Sequence, residues 1–179
     1  LQNIYINQEV RGKRQGEERF KFPYVTEKIQ FYDDFELKFK ELWENILIKL
    51  SKKHDNGLDL TIFQEEKNLF YEKLFVPNSE SLKIYNEIYT GFEVWWSSEA
   101  GGFSVESVIR DPFYNVYMVL SNSLNKTGRK PKKPLIISLI YDKCLFGNTM
   151  YQPNFAVLYI MDIYGNKEEL VTNLQNCIS

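Results

Sequence analysis

The sequence predicts an α+β domain. The expected body is a mainly antiparallel meander of about seven strands, with an N-terminal amphipathic helix and a C-terminal helix packed on it. Three observations carry this. Apolar, β-branched and aromatic runs recur along the chain, Pro134-Leu-Ile-Ile-Ser-Leu-Ile-Tyr141 foremost among them. Short stretches with Gly, Pro or Asn separate the runs, as hairpin turns require. Helical spacing of apolar residues is clearest in two places only, after Asp33-Asp34 and after Gly165-Asn166.

Taken in order, residues 1–28 read as a partly irregular segment. Its loop Arg11-Gly-Lys-Arg-Gln-Gly-Glu-Glu-Arg19 leads to a short extended stretch from Phe20 to Val25 around Pro23, suited to a sheet edge. Asp33 or Asp34 can cap a helix that runs to about Lys52, with Phe35, Phe39, Leu42, Trp43, Ile46 and Leu50 on one face. His54-Asp-Asn-Gly57 ends it. Leu58, Leu60 and Ile62 alternate with polar residues, and Leu69–Val76 answers across a turn at Glu65-Glu-Lys-Asn68, so 58–76 reads as a hairpin. A short helix capped by Ser79 or Ser81 follows, carrying Leu82, Tyr85 and Ile88 or Tyr89.

A second hairpin is expected from Phe92–Ser97 and Phe103–Ile109, joined at Ser98-Glu-Ala-Gly-Gly102. Arg110-Asp-Pro112 reads as a turn into a strand at Tyr114–Leu120. The run at Pro134–Tyr141 is apolar on both faces, which predicts an interior strand. A strand at Phe155–Met161 and a helix over Lys167–Cys177, with Leu170, Val171, Leu174 and Ile178 on one face, close the chain.

Length and composition bound the function. A chain of 179 residues suits one domain, 1–179, with room for a sizeable core. Its 44% hydrophobic and 16% aromatic content belongs to a folded chain rather than a disordered one. A formal net charge of -2 gives no global attraction to nucleic acid or to an anionic membrane. There is no apolar run of about 18 residues, so no transmembrane segment is expected. The chain starts at Leu1 rather than Met, which fits either a piece cut from a longer chain or a mature form whose preceding signal or anchor has been removed. Cys144 and Cys177 can pair or lie buried as thiols, and the buried-thiol reading needs no staple for a core of this size.

Catalytic parts are sparse. The only histidine, His54, sits in a polar turn, and neither cysteine opens a helix that would lower its pKa. One His and two separated Cys make no zinc site, so no metal and no cofactor is expected. Gly101-Gly102 is not followed by the Lys-Ser/Thr of a phosphate loop. A metal-dependent nuclease would need an acidic residue beside Glu-x-Lys. Glu65-Glu66-Lys67 below Asp55 or Asp59, and Glu36-Leu-Lys38 after Asp34, supply those letters. The basic run Asn125-Lys-Thr-Gly-Arg-Lys-Pro-Lys-Lys133 has no interleaved aromatic residue, which disfavours single-stranded nucleic acid. Asn125-Lys-Thr127 has the letters of a glycosylation acceptor.

Trp95-Trp96 is the more informative pair. On a strand the two would point to opposite faces, leaving one free as a partner anchor unless the sheet is covered on both sides. Glu93 and Glu99 then serve as rim residues that steer encounter. A non-catalytic protein-binding domain is therefore the expected class, ahead of a metal-dependent nuclease or a structural assembly protein.

Through the stretch Asn125-Lys-Thr-Gly-Arg-Lys-Pro-Lys-Lys-Pro-Leu-Ile-Ile-Ser-Leu-Ile-Tyr141 the chain resembles immunity proteins of interbacterial toxin systems, among them the TipC family. The resemblance implies a curved sheet that binds a cognate toxin and occludes its active site. It also implies a location outside the cytoplasmic membrane, tethered through a preceding anchor, with a cytoplasmic location as the alternative.

Overall fold

A computed structural model describes residues 1–11, 23, 25–52 and 64–178. It is predominantly helical, with six helices and a single three-stranded mixed sheet among the described residues. The seven-stranded antiparallel meander is therefore wrong. The helices are α1 (Gln2–Tyr5), α2 (Phe35–Lys52), α3 (Lys67–Leu74), α4 (Ser79–Trp96), α5 (Ser104–Lys126) and α6 (Lys167–Cys177). The strands are β1 (Ile136–Ile140), β2 (Tyr151–Gln152) and β3 (Phe155–Tyr159). Wider helical turns at Ile6–Arg11 and Glu99–Phe103, and a 3₁₀ turn at Ile160–Tyr164, extend three of these elements.

The expected helices at Phe35–Lys52 and Lys167–Cys177 are present with those bounds. Four expected strands are helix instead. Leu69–Val76 lies mostly in α3, Phe92–Ser97 is the end of α4, and Phe103–Ile109 and Tyr114–Leu120 both lie in α5. The expected strand at 58–62, most of the stretch from Phe20 to Val25, and the turn holding His54 fall outside the described residues.

The chain packs as two compact units. The first comprises Leu1–Ile46, Gly57–Gly91 and Cys144–Gly147. Its core is aromatic: Phe31, Phe35, Phe75 and Tyr85 are buried, and Tyr5 stacks on Phe35 with ring centroids 4.1 Å apart. Phe146 meets Tyr5, Phe35 and Phe39 edge-on. Offset and edge-to-face pairs of this kind add about 0.5–1.5 kcal/mol each beyond the area they bury. Asn78 caps α4 by accepting from Ser81 N–H at 2.7 Å, while the Ser81 hydroxyl sits 2.9 Å from Tyr71 Oη. Gln8 braces the amino-terminal turns: its Oε1 accepts from Ile29 N–H at 3.0 Å, and its Nε2 donates to Glu27 carbonyl at 2.7 Å.

The second unit comprises Leu47–Asn56, Phe92–Lys143 and Asn148–Ser179. Its core joins one stripe of α5 (Val116, Leu120, Leu124) to β3 and to the Leu170, Val171 and Leu174 face of α6. Asn166 caps α6, its Oδ1 accepting from Glu168 and Glu169 N–H. The sheet order is β1-β3-β2, with β1 parallel and β2 antiparallel to β3. The centre is thus β3, four of whose five residues are buried. The run at Pro134–Tyr141 provides an edge strand of half-buried residues and not an interior one. A two-residue turn, Pro153-Asn154, links β2 to β3 and uses the left-handed backbone of Asn154, with φ 61°.

Candidate protein-binding surface

The surface is built on the end of α4, the turn after it, and α5, all within the second unit. Apolar residues recur along α4 at Ile84, Tyr85, Ile88, Tyr89, Phe92, Trp95 and Trp96, a helical period that continues through Gly91. A tight turn follows. Ser98 Oγ donates to the Trp95 carbonyl at 2.7 Å and accepts from Gly101 N–H at 3.2 Å. Gly101 has φ -100° and ψ -109°, outside the helical region, and it is buried with Gly102. A Cβ on Gly101 would strike the Trp95 carbonyl, and one on Gly102 the Trp96 carbonyl. These glycines are needed because two backbones approach there.

Trp95 and Trp96 therefore sit in the last turn of α4, about 100° apart around the helix axis and not on opposite faces of a sheet. Both are half-buried. Trp96 stacks on Phe92, and Trp95 meets Tyr141 edge-on at 6.2 Å. Glu93 is half-buried on the same turn of helix, and Glu99 is exposed at the start of the tight turn. All four expected partner-binding residues thus lie at the end of α4 and the start of the turn that follows it.

The larger apolar surface lies on α5. Its inward stripe, Phe113, Val116, Leu120 and Leu124, packs into the core. The other side exposes Tyr114 at 60%, Tyr117 at 59% and Met118 at 39%, with Phe103 at 62% three turns earlier on the same side. The rings of Tyr114 and Tyr117 are 6.3 Å apart. We term this the α5 ridge. The sequence hides it because the apolar run 114–120 reads as a strand and Pro112 as the turn before it. The spacing 113, 116, 120, 124 was the available signal.

Pro112 lies inside α5 because its missing N–H is compensated. A helix would pair that N–H with the carbonyl of Val108. Instead Tyr164 Oη donates to the Val108 carbonyl at 2.9 Å. The C-terminal end of α5 runs into the exposed basic segment from Lys126 to Lys133, and no acidic residue occurs anywhere from Pro112 to Tyr141.

The residues weighed for chemistry in the sequence lie as follows among the described residues. These contain no group of three or more His, Cys, Asp or Glu side chains placed to hold a metal ion. Asp34 and Lys38 pair along one helix edge at 3.0 Å, and Glu65 and Glu66 stand just ahead of α3, so neither Glu-x-Lys stretch lies on a strand. Asp55 and Asp59 are outside the described residues. Burial raises the pKa of both cysteine thiols, which disfavours the nucleophilic thiolate. Both cysteines are free thiols. No described helix is long and apolar enough to cross a membrane.

Comparison with protein-family models, curated proteins and solved structures finds no match. The functional reading therefore rests on the chain's own surface.

Proposed function

We propose that this chain is a non-catalytic protein-binding domain that engages its partner through the α5 ridge. The observation that carries the reading is the exposure of Phe103, Tyr114, Tyr117 and Met118 along one side of a helix whose opposite stripe is packed. Tyrosine is favoured at such contacts because its ring buries much area at small entropic cost and its hydroxyl remains able to hydrogen-bond. Trp95, Trp96, Glu93 and Glu99 form a second candidate contact at the end of α4.

The partner class that goes with the resemblance over Asn125–Tyr141 is a cognate bacterial toxin, neutralised by covering its active site outside the cytoplasmic membrane. The binding element in this version is a helix ridge, in place of the curved sheet that the resemblance implied. The test is calorimetry with a toxin encoded next to this chain, alongside an assay of the toxin's activity. A complex at micromolar concentration or tighter is expected, with Tyr114→Ala and Tyr117→Ala each weakening it by roughly tenfold. No complex at micromolar concentration ends the toxin reading. A complex indifferent to both ridge substitutions ends the assignment of the ridge.

A further inference from the structure

We propose that the outer edge of β1 is a strand-addition site for an extended segment of a partner protein, acidic at the end that lies beside Lys132-Lys133. This goes beyond the α5 ridge, which is a different surface. β1 is the terminal strand of the sheet, and among the described residues no strand pairs with its outer edge. Ile136 N–H donates to the Asn154 carbonyl at 2.9 Å, on the β3 side. Alternate residues of a strand address the same neighbour. Ile136, Ser138 and Ile140 therefore serve the ladder to β3, while the backbone groups of Ile137 and Leu139 face outward.

The strand has no charge and no proline to deter pairing, and its residues stay half-buried in the sheet. An edge of this kind is a template for another strand. Its amino-terminal end defines the partner's charge. Lys126, Arg129, Lys130, Lys132 and Lys133 are all exposed, and the local absence of acid from Pro112 to Tyr141 stands out in a chain of net charge -2. Nucleic acid and lipid offer no peptide groups to a ladder. A second copy would set its own cations there in a parallel pairing and the net-neutral Asp142-Lys143 in an antiparallel one, so neither supplies the acid. An acid-ended polypeptide satisfies both features.

The test uses the full chain and two fluorescein-labelled peptides, each an alternating Val/Thr strand, one ended by two Glu and one by two Lys. Fluorescence anisotropy is expected to show the Glu-ended peptide binding roughly tenfold tighter. The double substitution Lys132→Glu with Lys133→Glu, on exposed side chains, is expected to reverse that preference. Amide exchange by NMR should slow at Ile137 and Leu139, while Ile136 and Ser138, already bonded to β3, stay as they were. Equal affinity for both peptides, unchanged exchange at Ile137 and Leu139, or a dimer by sedimentation that the peptide cannot displace would each overturn the proposal. Neither peptide measurement depends on the α5 ridge, so the two readings can fail separately.

Discussion

Tyr164 and Pro112 show how a single side chain can let a helix accept proline. The Val108 carbonyl is exposed, so water replaces part of the lost bond in Tyr164→Phe, and the expected cost is about 0.5–1 kcal/mol. Pro112→Ala supplies the missing N–H. In that background Tyr164→Phe should cost less, and a double-mutant cycle by urea unfolding measures the coupling. The two cost classes of glycine separate as sharply. Gly91 has open space where a Cβ would stand and lies within α4, so Gly91→Ala should stabilise by about 0.5–1 kcal/mol. Gly101→Ala meets the Trp95 carbonyl and should destabilise by more than about 2 kcal/mol. Equal melting temperatures for the two variants would contradict the tight turn at residues 97–103. Tyr85 carries a pH prediction. Its hydroxyl donates to the Lys67 carbonyl at 2.7 Å, and burial raises its pKa above the ordinary 10.0. The folded state then holds a proton that the unfolded state releases, so stability falls as pH rises above about 10. Tyr85→Phe should lose stability at neutral pH and show a shallower decline on the alkaline side.

At the scale of elements, α2 and α6 were readable because each carries its own start signal and a long period. Asp34 precedes α2 and its carboxylate meets Lys38 along the first turn; Asn166 caps α6. The turn between α4 and α5 was readable, whereas the helices on either side of it read as strands. Phe92–Ser97 and Phe103–Ile109 alternate over short windows, and a glycine at 91 and a proline at 112 suggested breaks. Both breakers are absorbed, Gly91 by exposure and Pro112 by the Tyr164 bond. Pro134–Tyr141 was correctly extended but placed at the wrong position in the sheet. Its apolar faces reflect packing against α5 on one side and half-exposure on the other, a combination that a run of Ile and Leu does not distinguish from full burial. Leu174 is fully buried between α6 and its neighbours, and Leu174→Ala is expected to cost about 2–5 kcal/mol in chemical denaturation. A cost below about 1 kcal/mol would place α6 outside the core.

At the scale of the molecule, a helical content of 64% among the described residues makes a direct prediction: far-UV circular dichroism dominated by helix. A spectrum dominated by sheet would restore the meander. The candidate binding surface was only partly legible. Trp95, Trp96, Glu93 and Glu99 could be picked out as an exposed-looking cluster, whereas the ridge of Phe103, Tyr114, Tyr117 and Met118 needed the helix to bring them to one side. By itself the sequence determined that the chain has a large apolar and aromatic core, that α2 and α6 are helices, and that residues 126–133 form an exposed cationic stretch. Caps, composition and long-range periodicity are local properties, so they can be read from neighbours in the chain. Tertiary structure alone decided that 92–96 and 104–126 are helical and that β3, not β1, is the buried strand. Those outcomes hang on contacts between distant residues, Tyr164 with Val108 and Ile136 with Asn154, which no local window contains.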